Sequence, residues 1–381
     1  MLRWQTGRVA AAGPLADEPD AGLKPSDLVF LEAAGLAARA SQPKFYDWQI
    51  VTGIRLVVVW SKWSGRVGRV MHTATNPRNF RCALVLLGVA VAMLPLCAQD
   101  LTPRAYVISP IGTHALILSS SYSSGDVLAD PTLPLEDAKG TFQVPTLGYY
   151  QALSILGRSA NFTVVVPYAS GNYQATVNGN VLHAHTSGLA DMRVRFAMNL
   201  KGGGAMKLRD YAKWHERNLI GVSLTASLPS GQYDPGRVIN NGTQRFGFKP
   251  EIGFTRRRGH WALDWYAGVW FFTPNTTYYP GQNRRTQQPI GAFEAHLGYY
   301  VKPRLWVSAD ANFWVGGRSA LNGIEKNDEQ RNSRVGATAS FPLTRRLAAK
   351  VSYSRGAYVT IGGEYQTVSV GCQYSWFSEP R

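Results

Sequence analysis

The sequence of 381 residues holds only 3 cysteines, and its body contains no run approaching the ~20 consecutive apolar residues that a membrane-crossing helix requires. The first absence excludes a disulfide framework. Cys82 and Cys97 fall in an amino-terminal segment with the features of an exported leader, which leaves Cys372 with no internal partner. The second absence excludes a bundle of transmembrane helices. Charged residues are scarce at 17%. No phosphate loop, metal-ligand spacing or haem-attachment Cys-x-x-Cys-His occurs, so the sequence implies no cofactor and no metal. Acidic residues are outnumbered, 24 against 40 basic, for a net charge of +16. A balance of that size raises nucleic acid as a partner, but the basic residues are scattered, with no basic helix and no recognisable binding motif, so no nucleic-acid partner is expected.

What is present belongs to strands and turns: 38 Gly, 18 Tyr and 11 Trp in a chain 45% hydrophobic and 12% aromatic. The pattern is clearest at the end. Val368, Val370, Cys372, Tyr374 and Trp376 fall on one face and Ser369, Gly371, Gln373 and Ser375 on the other, the strict period of two of a strand that is apolar outward and polar inward. Cys372 on that apolar face reads as a small hydrophobe rather than a reactive thiol.

Residues 1–70 lack sustained periodicity and read as a mis-assigned or disordered extension. Residues 71–98 have a basic start at Arg78 and Arg81, an apolar core at 83–96 and a small residue, Ala98, before a polar start, which together make a cleavable secretory signal peptide. Lipid attachment at Cys97 is the rival reading, weakened by the bulky Leu96 before it. Residues 99–112 form an amino-terminal periplasmic segment, residues 113–377 the main domain and residues 378–381 a tail.

The main domain offers twelve strand candidates: 113–122, 141–155, 160–168, 190–200, 219–228, 245–255, 260–272, 290–301, 305–315, 333–341, 347–354 and 367–377. Tight turns near Gly157, Gly259, Pro303 and Arg345 alternate with polar loops at 125–139, 171–188, 229–244, 274–288 and 316–331. A soluble sandwich has no reason to segregate its connections, whereas a barrel with periplasmic turns on one rim and extracellular loops on the other does. The fold class expected is therefore all-β: a transmembrane antiparallel barrel of twelve strands in the bacterial outer membrane, with lipid around it. One connection, 202–218, is long where a turn is expected; Leu208, Tyr211, Ala212 and His215 share a helical face there, predicting a short helix at the periplasmic rim.

Strand parity sorts the side chains. Met192, Val194, Phe196 and Met198 face lipid while Arg193, Arg195 and Asn199 face the lumen; Leu263, Trp265, Ala267, Val269 and Phe271 oppose Asp264, Tyr266 and Gly268. A slip of one residue in the fourth strand would carry both arginines into lipid, at about 2–4 kcal/mol each near the midplane, so register is strongly specified. The lumen-facing candidates are Tyr150, Arg193, Arg195, Glu251, Asp264, Tyr266, Glu294, His296, Trp306, Asp310 and Lys350. Two readings stand side by side: a mutually paired polar plug, or a channel lining. His185 and Ser187 are the one adjacent pair suggestive of a hydrolase, and no acidic residue at a suitable spacing orients them, so no enzyme is expected.

Ser369-x-Gly371-x-x-Tyr374-x-Trp376, followed by Phe377, resembles the carboxy-terminal signal by which bacterial outer-membrane barrels are recognised by their assembly machinery, departing from it in the tail that follows. The stretches 157–168, 188–191, 228–234 and 241–251 resemble the outer-membrane barrel family named for the meta pathway of phenol degradation. The resemblance covers 101–377 and implies a channel or transporter-like barrel associated with aromatic catabolism. The expectation that follows is passive passage of small, aromatic or weakly polar solutes, with a plugged structural or adhesive barrel as the alternative.

Overall fold

The computed structural model describes residues 101–128, 135–237 and 239–378, together with a short pair at 47–49 and 55–57. The chain divides into two compact units, Met1–Thr73 and Ala74–Arg381. The first contributes the antiparallel pair β1 (Asp47–Gln49) and β2 (Arg55–Val57). Apart from that pair, the expected extension and the whole signal peptide lie outside the described residues, as does the tail beyond Ser378.

The second unit runs through β3 (Thr113–Leu128), β4 (Leu135–Ile155), β5 (Arg158–Val177), β6 (Asn180–Leu189), β7 (Arg193–Lys201), the single helical turn α1 (Leu208–Tyr211), β8 (Asn218–Ser227), β9 (Gly247–Arg258) and β10 (Trp261–Phe272). It continues through β11 (Asn275–Tyr278), β12 (Asn283–Gln287), β13 (Ile290–Lys302), β14 (Leu305–Gly316), β15 (Ser319–Leu321), β16 (Ile324–Glu325), β17 (Gln330–Pro342), β18 (Leu347–Tyr358) and β19 (Gly362–Phe377). All but β6, β11, β12, β15 and β16 form a closed antiparallel barrel of 12 strands. The seam is complete: β19 pairs with β3 from Thr113 opposite Phe377 to Leu128 opposite Gly362. No edge remains, as lipid demands, because an unpaired backbone group there has no water to bond to.

Alternation places polar groups inside and apolar groups outside. Asp264 and Asp310 are 1% and 4% exposed, while Trp265 and Phe293 are 55% and 48% exposed. This inverts the polarity of a soluble domain, and the continuous apolar belt is far larger than water tolerates. Aromatic clusters sit where the belt meets the short-turn rim. His114 and Tyr149 share a hydrogen bond of 2.7 Å, Trp376 stacks on His114 at 5.5 Å, and Trp261 meets Tyr299 edge-on at 4.9 Å.

All twelve expected wall strands are present, and four of their connections on one rim are tight: 156–157, 259–260, 303–304 and 343–346. Differences lie beyond the membrane on the other rim. The expected loop 171–188 is instead a hairpin of β5 and β6, turning at Asn178 and Gly179. Its polarity is that of a soluble protein: Ala175, Val177 and Leu182 point inward into a small core with Phe142 and Tyr365, so a pattern keyed to apolar outward faces passes over it. The expected loops 274–288 and 316–331 carry the four-stranded sheet β11-β12-β15-β16. The helix expected in 202–218 is one turn only, with no buried residue.

The amino-terminal segment differs most. Residues 101–112, expected in the periplasm, run inside the barrel without strand or helix and bond to inward-facing wall residues.

Candidate functional site: the barrel interior

The acidic lumen residues do not simply pair with one another; several hold residues 101–112. Thr102 donates from its backbone N and its Oγ1 to Glu294 Oε2, at 3.1 and 2.8 Å. Arg104 donates to Asp264 Oδ1 at 2.9 Å, to the Tyr300 hydroxyl at 2.9 Å and to the carboxylate of Glu216 in the long 202–217 connection. The Ala105 N–H donates to the Tyr266 hydroxyl at 3.0 Å. Tyr106 donates to Glu251 Oε1 at 2.9 Å, and Arg195 lies 4.8 Å from its ring. Burial, and then the Glu251 carboxylate, push the Tyr106 phenol above its ordinary range, so it stays a donor.

The wall is shaped to admit that ring. Gly221 of β8 and Gly253 of β9 are register partners on the inward face. A Cβ on Gly253 would lie 2.1 Å from the Tyr106 ring, and one on Gly221 would lie 2.4 Å from it. The missing side chains make a slot, and Tyr106, 1% exposed, fills it edge-on to Tyr266. Residual wall charges pair laterally. His296 bridges Asp310 at 2.9 Å and Glu294 at 3.3 Å, Lys249 contacts Glu251 at 2.6 Å, and Arg195 approaches Glu251 at 3.8 Å. Asp310 also accepts from Ser308 and Thr338.

Above the segment, toward the long-loop rim, lies a cavity of about 140 Å³. Its roof is the 228–246 connection, folded inward and pinned on both sides. Asp191, where the chain breaks between β6 and β7, accepts from the backbone N–H groups of Gly231 and Thr243, both at 3.0 Å, and from the Thr243 hydroxyl. Asn275 donates to the Thr243 carbonyl at 3.1 Å and the Tyr233 hydroxyl at 3.0 Å. Gly188 has a φ of +155°, a conformation that favours glycine, and a Cβ there would also meet the Gln232 side chain, which would have to move aside. The stretches 188–191, 228–234 and 241–251, far apart in the sequence, thus meet in one place.

Arg193 and Arg195, neighbours on one face of β7, are separated in role: Arg193 lines the upper cavity while Arg195 reaches the segment below. Tyr150 of β4 lies opposite Ala115 of β3 and Thr163 of β5. Trp306, opposite Tyr300, and exposed Lys350, opposite Ser340 and Gly371, lie near the short-turn rim. His185 and Ser187 are engaged separately, with Asn172 and Tyr168. Among the residues that sequence reasoning missed are Arg104, Tyr106, Glu216, Asp191, Lys249 and Arg245. Of these, Lys249 shares the inward parity of Glu251, which was available as a signal; Arg104 and Tyr106 lie in a segment with no periodicity to read.

The family described as "Putative MetA-pathway of phenol degradation" matches residues 123–373. The chain belongs to that family. The family match runs from within β3 to within β19 and takes in the roof, while residues 101–112 lie outside it. Among solved structures, an outer membrane channel from Pseudomonas putida F1 is 17% identical, with 73% of this chain and 100% of that chain covered and a TM-score of 0.63. The transport unit of the autotransporter AIDA-I from Escherichia coli is 12% identical, with 80% and 100% covered and a TM-score of 0.45. No curated protein matches the chain. The likeness to the first establishes the fold, an outer-membrane β-barrel.

Proposed function

We propose that the barrel is an outer-membrane channel for passive passage of small solutes, aromatic ones among them, and that residues 101–112 narrow it. The observation that carries this reading is how the interior is filled. A barrel of eight strands is packed by its own side chains and one of 16–18 strands holds open water. In this barrel of 12 strands the centre is occupied by a terminal segment held by polar contacts, with a cavity left above it. A segment of that kind can leave and return without breaking the wall. The Pseudomonas putida protein of like fold is named as an outer membrane channel, and the family name points to phenol degradation. With the segment displaced, Tyr150, Tyr266 and Trp306 would offer flat apolar faces with polar edges, suited to weak hold on an aromatic solute.

In this reading the chain is exported through the 71–98 leader, cleaved after Ala98, and handed to the assembly machinery by Ser369, Gly371, Tyr374, Trp376 and Phe377. Its partners are lipid, that machinery and the solute, and its work is transport without catalysis. The test is planar-bilayer conductance of refolded protein together with uptake of phenol and benzoate by cells with and without it. Deletion is expected to slow uptake, and the pair Arg193→Ala plus Arg195→Ala to change the benzoate rate more than the phenol rate. No conductance and unchanged uptake on deletion would replace the channel with a plugged structural barrel.

A further inference from the structure

Basic residues that are scattered along the sequence gather on one rim of the barrel. On the long-loop rim cations and carboxylates are interleaved: Arg318 contacts Glu325 at 3.3 Å and Glu329 at 2.9 Å, and Arg331 contacts Glu329 at 3.6 Å. The short-turn rim has no such balance. Its carboxylates, among the described residues, are Asp210, which is exposed, and Glu216, which is turned inward to Arg104 and Arg257. Arg256, Arg258, Lys302 and Arg345 are all exposed on that rim, and among the described residues none of the four is in an ion pair.

Three short turns carry this charge side by side, because the hairpins β9-β10, β13-β14 and β17-β18 are neighbours in the wall. Arg304 of the second turn donates to the Thr344 and Arg345 carbonyls of the third, at 3.2 and 2.8 Å, which joins the turns into one arc without neutralising it. Direction matters as much as charge. Arg256 and Arg258 continue the outward ladder of Ile252 and Phe254 in β9, so they point radially, toward the membrane, rather than along the barrel axis. Register sets Arg256 opposite Leu263 and Arg258 opposite Trp261, which in turn faces Tyr299. Trp261 and Tyr299 are 53% and 37% exposed, and His260 stacks on Tyr299 at 5.6 Å, so this stretch is the aromatic edge of the apolar belt. Rings in that position sit at headgroup level. An arginine beside them can lay its stem along apolar surface while its guanidinium reaches a phosphate.

We propose that the arc of Arg256, Arg258, Lys302 and Arg345 binds the headgroups of anionic phospholipids, of the phosphatidylglycerol class, in the leaflet that meets the short-turn rim. A guanidinium fork matches the paired oxygens of a phosphate, and clustered basic side chains at a membrane surface gain from anionic lipid in proportion to their number. A zwitterionic phospholipid presents the same phosphate with an ammonium beside it, which offsets the gain. An acidic protein docking from the aqueous side would meet Arg345 but not the radially directed pair on β9 beside Trp261. Lipid capture is independent of the channel reading, since a plugged barrel would hold its lipid in the same way.

The experiment is titration of the full folded barrel in nonionic detergent with dioleoyl phosphatidylglycerol and with dioleoyl phosphatidylethanolamine, bound lipid being counted by native mass spectrometry. Phosphatidylglycerol is expected to bind saturably and at least about tenfold more tightly than phosphatidylethanolamine, with an affinity that falls as ammonium acetate is raised. The pair Arg256→Gln plus Arg258→Gln is expected to weaken phosphatidylglycerol at least about tenfold and phosphatidylethanolamine by less than about twofold. Arg256→Lys plus Arg258→Lys, which keeps the charge, should stay within about threefold of the native protein, and Arg284→Gln plus Arg331→Gln, exposed on the long-loop rim, within about twofold. Equal affinity for the two lipids, or a glutamine pair on β9 that binds phosphatidylglycerol as the native protein does, overturns the proposal. Displacement of the lipid by an equal concentration of glycerol phosphate also overturns it, because the rim would then be a site for the free anion and not for a lipid. Should the glutamine pair not refold, judged by its migration on unheated gels, Lys302→Gln plus Arg345→Gln takes its place with the same expectation.

Discussion

Arg104 bonds two buried carboxylates and a tyrosine hydroxyl at once. Its side chain and those of Glu216 and Asp264 are 5%, 4% and 1% exposed, so removing the cation leaves two carboxylates in a space that solvates them poorly. Breaking a buried pair by deleting one partner costs about 3–5 kcal/mol. Arg104→Ala is therefore expected to release residues 101–112 from the lumen and raise single-channel conductance. Gly253→Val should do the same by sterics, since its side chain would occupy the slot of Tyr106 while a β-branched residue suits the strand. Gly298→Ala is the control, because the nearest atom to a Cβ there is 3.7 Å away. Conductance that stays at the native level in both Arg104→Ala and Gly253→Val would mean that the segment is not the constriction. Neither position announced itself in the sequence. An arginine in an aperiodic stretch and a glycine in a strand acquire meaning only when register sets Gly253 beside Gly221 and the fold brings Tyr106 between them.

At the scale of the element, legibility followed the solvent. Where a strand crosses lipid, one face must be apolar and the other polar, and β7, β10, β13, β14 and β19 declared both their existence and their parity. Past the membrane the rule reverses. β5 and β6 turn Ala175, Val177 and Leu182 inward and leave Asn172 and Gln174 in water, so a pattern keyed to lipid predicts a loop where a hairpin stands. The roof was half legible: its Gly, Pro and Asn content marked a loop, but nothing in the spacing of Asp191 from Gly231 and Thr243 revealed that the three would meet. The sidedness of the rims is checked by single cysteines in a Cys372→Ser background. Cysteines at Asn180 and Ile324, exposed beyond the long-loop rim, should react with an impermeant reagent on whole cells, and one at Arg345, exposed in a short turn, only after the outer membrane is opened. Labelling of Arg345→Cys on intact cells would invert the barrel.

For the whole molecule, closure was predictable because lipid tolerates no sheet edge, and twelve strands of alternating connection length leave one way to satisfy it. The contents of the barrel were not predictable by the same logic, since a lumen can be satisfied by its own wall or by a guest. Here the guest is attached. Residues 101–112 join the wall at Thr113, on the short-turn rim; with the leader cleaved after Ala98 as proposed, that dozen residues reaches at most about 40 Å when extended, enough to hang clear of the mouth without parting the seam. A blocker on so short a leash never dilutes: it sees its own binding site at an effective concentration of order millimolar. A barrel trimmed of residues 101–109 should then conduct more than the intact one, and be re-blocked by the free peptide, added from the short-turn side, once its concentration exceeds its own dissociation constant. Recordings in which the trimmed barrel conducts as the intact one does, or in which peptide blocks from the opposite side alone, would contradict the leash. A solute that merely competes for the lumen must outbid a ligand that cannot diffuse away, so entry would be governed by whatever loosens Arg104 and Tyr106 rather than by how much solute waits outside.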